Sequence, residues 1–114
     1  MHEFSLIQSL ISRVGDEARR RSGLRVHVIA VRVGELSGVD PELLGNAFEI
    51  ACQGTICAQA ELRMSRVRAV WSCPRCGKVF APGEVLNCAG CRAPAELSEG
   101  ADALTLESLE MEVA

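Results

Sequence analysis

The stretch Cys73-Pro74-Arg75-Cys76-Gly77-Lys78-Val79-Phe80-Ala81-Pro82-Gly83-Glu84-Val85-Leu86-Asn87-Cys88-Ala89-Gly90-Cys91 decides how the rest of the chain is read. It holds two Cys-x-x-Cys pairs separated by 11 residues. Two thiolates at that spacing can grip one ion from a tight turn, and two such turns complete a tetrahedron around it. Gly77 and Gly90 suit the tight backbone bends this requires. Redox chemistry is the competing use of a Cys-x-x-Cys pair, but it expects one pair, set after a strand and opening a helix, and gives no reason for two. Residues 70–93 contain four of the six cysteines, two of the four prolines and the charges Arg75, Lys78, Glu84 and Arg92. So short a segment cannot bury a core of its own and needs a metal or a cross-link to hold its shape. Zinc bound by Cys73, Cys76, Cys88 and Cys91 is expected to be structural, because four protein sulfurs leave no position for water or substrate.

On either side of this segment the patterns are those of a mixed α and β domain. Ser5, with Gln8 three residues later, reads as the start of a helix spanning about 5–22. Leu6, Ile7, Leu10, Ile11 and Val14 give it an apolar face, Arg19 to Arg21 suit its C-terminal dipole, and Gly23 offers a left-handed stop. Leu24 to Val33 reads as a strand whose apolar parity changes between Val28 and Ile29, so that either both faces are covered or a bulge shifts the phase. After the turn-like run Gly34-Glu35-Leu36-Ser37-Gly38-Val39, Asp40-Pro41 is an N-cap followed by proline at the first helical position. The helix it opens has Leu43, Leu44, Ala47, Phe48 and Ala51 as its expected buried face and ends at Gly54. Ala60 to Arg68 is a second strand, with Leu62 and Met64 inward. Ala103 to Val113 is a third, its parity shifting between Leu106 and Leu109 as a bulge would produce. The expected fold is therefore α+β, a three-stranded sheet with two helices. Residues 1–69 with 94–114 form the discontinuous main domain, and residues 70–93 the zinc-binding insert.

Composition narrows the function. The chain of 114 residues carries 12 Lys and Arg against 15 Asp and Glu, and four thiolates on one divalent ion would take its formal charge from −3 to −5. That sign opposes capture of a phosphate backbone, and aromatics at 4% are too few for a base-stacking platform, so nucleic acid is not an expected partner. No stretch is apolar enough to span a membrane, and the start of the chain lacks the basic and apolar regions of a secretory leader. A cytoplasmic location follows, where closely spaced thiols are ligands more often than disulfides. Cys52 and Cys57, outside the pairs, read as buried free thiols. No Ser/His/Asp set, phosphate-cradling loop or open zinc position supports an enzyme, and the two His of the chain leave little for acid–base work.

The remaining feature is Met1-His2-Glu3. The α-amino nitrogen of Met1, the backbone nitrogen of His2 and its imidazole can close adjoining chelate rings on one ion, with the Glu3 carboxylate as a further donor or as a partner that orients the imidazole. Nitrogen and oxygen donors in a square-planar or tetragonal array suit Ni(II) or Cu(II). His27 reads as a strand-face residue, and Asp40 as a cap whose carboxylate could approach the terminus if the second helix packs beside it.

Taken together, Met1-His2-Glu3-Phe4-Ser5-Leu6, Gly34-Glu35-Leu36-Ser37-Gly38-Val39, Phe48-Glu49 and the two Cys pairs resemble the HypA/HybF family of nickel-incorporation proteins for [NiFe]-hydrogenase maturation. The resemblance spans essentially the whole length. It implies a metallochaperone that binds nickel as transferable cargo through Met1, His2 and Glu3 and structural zinc through Cys73, Cys76, Cys88 and Cys91. The implied partners are a nickel-handling maturation GTPase and a hydrogenase large-subunit precursor, with urease maturation factors in some bacteria, and a homodimer is an assembly left open. One departure is visible: the family's usual Gly-Ser after the last zinc cysteine is Arg92-Ala93 here. The competing reading is a zinc-ribbon adaptor or binding module with no nickel role.

Overall fold

The computed structural model describes residues 2–114; Met1 lies outside the described residues. Helix α1 (His2–Arg20) leads into strand β1 (Gly23–Gly34), helix α2 (Pro41–Ala51) and strand β2 (Glu61–Val67). Four two-residue strands follow, β3 (Trp71–Ser72), β4 (Asn87–Cys88), β5 (Ala93–Pro94) and β6 (Glu96–Leu97), before the long β7 (Leu104–Val113). The main sheet has the order β2-β1-β7, with β2 parallel and β7 antiparallel to the central β1. This is the expected three-stranded sheet with two helices, and its pairing is mixed. The molecule is elongated, 55 × 30 × 16 Å, and its radius of gyration of 17.9 Å exceeds the roughly 13 Å of a compact chain this long.

Both expected phase shifts are present. Val26 pairs with Met111 and Val28 with Glu110, so His27 is the extra residue of a bulge in β1. Ala30 pairs with Ser108 and Val31 with Leu106, which makes Glu107 the bulged residue of β7 and keeps Leu106 and Leu109 on the same face. The core gathers Ile7, Leu10 and Val14 of α1, Val26, Ile29, Val31 and Val33 of β1, and Leu44, Ala47 and Phe48 of α2.

Helix α1 starts three residues before the expected Ser5, so its first turn contains His2 and Glu3 rather than following them. At its end the left-handed residue is Ser22 (φ 54°), not Gly23. Gly23 is needed for closeness instead, since a Cβ there would lie 2.9 Å from the Met111 sulfur. Two residues expected to be inward are exposed: Leu43 of α2 and Met64 on the edge strand β2. In each case the element is as expected but no neighbour covers that side.

Past β2 the chain makes a second, thinner layer. β3 pairs with β6, Trp71 opposite Leu97 and Ser72 opposite Glu96, so the ladder of the cysteine-bearing segment runs to Leu97, beyond residue 93. Ser98 fastens its base by donating its hydroxyl to the Arg68 carbonyl at 2.6 Å and accepting the Val70 N–H at 3.1 Å.

The junction of the two layers is the Gly34–Val39 turn. Gly34 N–H donates to the Ala103 carbonyl at 2.8 Å and Leu36 N–H to Ala101 at 2.7 Å, while the Glu35 carboxylate accepts the Ala69 N–H at 2.6 Å. A Cβ on Gly34 would stand 2.4 Å from backbone atoms of Ala101 and Gly100, which no side-chain rotation can relieve. Gly34→Ala is therefore expected to destabilise the protein by about 1–3 kcal/mol or more, the usual range for overpacking. Urea unfolding should show a lower midpoint at unchanged slope.

Candidate metal centre

The four cysteines are brought together by two turns of the same construction. In the first, Cys73 follows β3, its carbonyl accepts the Gly77 N–H at 2.9 Å, and its own N–H donates to the Lys78 carbonyl at 2.8 Å. In the second, Cys88 ends β4 and its carbonyl accepts the Arg92 N–H at 2.7 Å. Each turn thus closes four residues after its first cysteine, and the closing residue is left-handed in both: Gly77 at φ 79° and Arg92 at φ 52°. Gly90, expected to ease the second bend, is not left-handed; the special conformation falls on Arg92. The second turn keeps the shape of the first although an L side chain occupies its strained position, at a cost of about 1–2 kcal/mol.

One ligand atom from each of Cys73, Cys76, Cys88 and Cys91 lies within 4.8 Å of the others. The Cys76 and Cys88 sulfurs are 3.8 Å apart. A tetrahedron with metal–sulfur bonds near 2.3 Å has edges of about 3.8 Å, so that pair stands at ligand spacing and the whole set is gathered for one ion. Cys73 and Cys88 are buried with Phe80 and Ala93, against which Trp71, Cys91 and Ala95 pack, while Cys76 is exposed. The Lys78 ammonium lies 4.9 Å from the centre of the Phe80 ring, and Glu84 accepts the Ala81 N–H at 2.7 Å. The donor set fits a thiophilic divalent cation, and four protein donors close its shell.

Backbone N–H groups of Cys76 and Arg75 aim at the Cys73 sulfur and pull its thiol down to about 6. Hydrogen bonding with the Cys76 and Cys73 sulfurs, followed by burial, pushes the Cys91 thiol up to about 12. Without a cation the cluster thus ionises unevenly, because hydrogen bonds favour the thiolate of Cys73 and the protonated thiol of Cys91.

A model of the family described as hydrogenase/urease nickel incorporation, metallochaperone, HypA, matches residues 1–111. The chain belongs to this HypA family. Among curated HypA hydrogenase maturation factors, that of Aquifex aeolicus is 39% identical over 99% of both chains. That of Wolinella succinogenes is 34% identical over 98% of this chain and 96% of its own. The solution structure of the nickel metallochaperone HypA from Helicobacter pylori superposes with a TM-score of 0.72 at 26% identity, covering 98% of each chain. A second solution structure of a HypA protein gives 0.75 at 28% identity, covering 100% of this chain and 98% of that one. This HypA family member thus combines hydrogenase-maturation ancestry with a four-cysteine metal site.

The other residues singled out in the sequence lie elsewhere. Met1 is outside the described residues. His2 is exposed at the first position of α1, and Glu3 is half-buried one residue on. Glu3 Oε2 accepts the Asp40 N–H at 3.2 Å, and Asp40 Oδ1 accepts the N–H groups of Glu42 at 2.9 Å and Leu43 at 3.3 Å. The expected cap is therefore real, and it draws the starts of the two helices together. His27 is exposed on the β1 bulge, while Cys52 and Cys57 are buried free thiols as expected. Arg92, noted in the sequence only as a departure from the family's usual Gly-Ser, takes the left-handed place that Gly77 holds in the first turn, and the signal for it was its position four residues after Cys88, matching Gly77 after Cys73.

Two outcomes follow. Arg92→Gly should keep metal binding and raise stability by up to about 1 kcal/mol, the relief of a left-handed L residue less the entropy of glycine; chelator competition and urea melts read the two effects. Metal binding requires thiolates, and over pH 7–9 Cys73 is already ionised while Cys91 must lose its proton. Affinity should therefore rise with pH, by about tenfold or more per unit across that range. Competition with a chromophoric chelator checks it.

Proposed function

We propose that this protein is a nickel carrier that binds Ni(II) at its N-terminus and delivers it for [NiFe]-hydrogenase maturation, with Zn(II) as the resident ion of Cys73, Cys76, Cys88 and Cys91. The Met1 amine, the backbone nitrogen and imidazole of His2, and Glu3 are the nickel donors of this reading. The observation that carries it is the bond from the Asp40 N–H to Glu3. It ties the first turn of α1 to the cap of α2, so residues 2–3 are held against the fold. Backbone N–H groups in the first turn of a helix have no acceptor within it, which leaves the His2 nitrogen free of a helical role. One Glu3 oxygen is occupied by Asp40, which favours Glu3 as the group that positions the site over Glu3 as a full ligand.

Few donors fixed by the fold suit a cargo that must be released, whereas a closed sulfur shell suits an ion that stays. The expected exchange partners are a nickel-handling GTPase and a hydrogenase large-subunit precursor, with urease maturation factors as a second destination, in the cytoplasm and without nucleic acid or membrane. A homodimer belongs to the same reading. The protein acts as a carrier and not as an enzyme, since a closed thiolate shell offers no reacting position. We also divide the chain into a nickel-binding unit built on the main sheet and a zinc-binding insert that starts at residue 70. The Trp71–Leu97 pairing favours an end of that insert near Ser98 over one at residue 93. A metal-binding adaptor with no nickel role is the alternative.

The test is nickel titration of the parent chain, His2→Ala, and a form carrying one extra residue before Met1. The extension preserves every side chain but moves the free amine. Each change should weaken nickel binding by about tenfold or more, leaving one zinc per chain by metal analysis. Nickel binding that is unaltered in both variants would overturn the terminal chelate. Because the donors compete with protons, affinity should also fall as the solution is acidified.

A further inference from the structure

Helix α2 is apolar on two adjoining sides. Leu44, Ala47 and Phe48 enter the core, yet Leu43 and Ile50 remain 52% and 64% exposed. Those two lie seven residues apart and so share one stripe of the helix. A globular helix ordinarily turns a polar face outward, and an additional apolar stripe marks a surface that meets something else. Beside the stripe lies a cleft of about 100 Å³ between α1 and α2, lined by Glu3, Phe4, Leu43, Asn46, Ala47 and Ile50.

Charge says what fits there. Residues 2–12 and 35–62, which include the whole of α2 and the first half of α1, contain six carboxylates and no Lys or Arg. Every one of the 12 Lys and Arg lies elsewhere. Glu42 and Glu49, also seven residues apart, form a row about 100° further round α2, flanking the apolar stripe as e and g charges flank a coiled-coil seam, while Glu3 is the carboxylate that lines the cleft itself. Among the described residues, Glu3, Asp40, Glu42 and Glu49 have no ion pair with Lys or Arg. An apolar cleft bordered by unneutralised carboxylates complements an apolar anchor flanked by cations. A second copy of this chain is a poor occupant, since a two-fold contact through this stripe sets acidic row against acidic row.

We propose that the Phe4–Leu43–Ile50 cleft and its acidic border are the docking site for a basic amphipathic helix of a partner protein. One apolar side chain of that helix fills the cleft, and its Lys or Arg side chains face Glu42 and Glu49. The mode is helix-in-groove recognition, with apolar contact supplying affinity and charge supplying selection and speed of encounter. It deepens the carrier reading, and rests on it for the purpose of docking, because an occupant of this cleft sits against Glu3.

The probe is a labelled helical peptide of about 18 residues, with a leucine stripe flanked by lysines, compared by fluorescence anisotropy with a counterpart carrying glutamates in place of the lysines. The lysine peptide should bind about tenfold or more tightly than the glutamate one, and added salt should weaken it. The double variant Leu43→Gln with Ile50→Gln should lose binding by about tenfold, and Glu42→Lys with Glu49→Lys should reverse the preference between peptides. Equal binding of the two peptides, or parental binding by the glutamine variant, would overturn the proposal. So would a concentration-dependent dimer in sedimentation that the glutamine variant abolishes, which would make a second copy the occupant. Circular dichroism checks that the variants fold, and nickel titration of the glutamine variant should match the parent. A parent chain that binds nickel but not the lysine peptide counts against docking alone, and a parent chain that binds the peptide but no nickel counts against the carrier reading alone.

Discussion

Strand β1 hydrogen-bonds to β2 on one side and to β7 on the other, and its residues Val26, Ile29, Val31 and Val33 lie almost wholly out of water beneath the two helices. The chain ends its central strand at Gly34, where the backbone of Gly100 and Ala101 comes too close for any side chain. That contact sets the exit of β1, the entry of β7 and the base of the cysteine-bearing layer at one place. Glu35 and Ser98 then satisfy the backbone groups of Ala69, Val70 and Arg68 there, where strand pairing alone would leave them bare.

Beyond this junction the means of holding shape changes. The main layer is cohesive because apolar area is buried across a sheet and two helices. In the cysteine-bearing layer the pairs β3–β6 and β4–β5 are two residues long, and the apolar cluster amounts to Phe80 and Ala93 with neighbouring cysteines, Trp71 and Ala95. Four sulfurs gathered within 4.8 Å form there a metal site, where an ion would do what a core does elsewhere. The matching turns at Gly77 and Arg92 show how strictly that spacing dictates the backbone: the second turn adopts the left-handed conformation without a glycine. An isolated residue in that conformation persists only where the surrounding contacts fix it.

At the other end of the molecule a single polar bond has a comparable role. The Asp40 backbone N–H meets Glu3, and the Asp40 side chain caps α2. One residue thus organises the starts of both helices, and the acidic, partly apolar surface between them owes its composition to that meeting. Cations are confined to the second half of α1 and its end, to β1, to β2 with Arg68, and to the cysteine-bearing layer, so the charge of this surface is a property of where the chain places its residues and not of its modest net charge.

Much was written in local order. Period-3.6 and period-2 patterns fixed two helices and three strands, the parity breaks at Val28/Ile29 and Leu106/Leu109 announced the bulges, and Asp40-Pro41 announced the start of α2, because each depends on neighbours within a few residues. The spacing of the cysteine pairs likewise announced the four-sulfur cluster, since two turns can be assembled from short segments. Local order could not reveal which apolar residues would be left uncovered, as Leu43 and Met64 are, because burial depends on what packs from elsewhere. Nor could it place the extension of the cysteine layer's ladder to Leu97 or the reach of Asp40 to Glu3 across 37 residues of chain. Sequence by itself determined the elements and the donor chemistry, for these follow from side-chain type and spacing; tertiary structure alone decided their company, for contact between distant segments is settled only when the whole chain minimises its exposed apolar surface and unpaired backbone together.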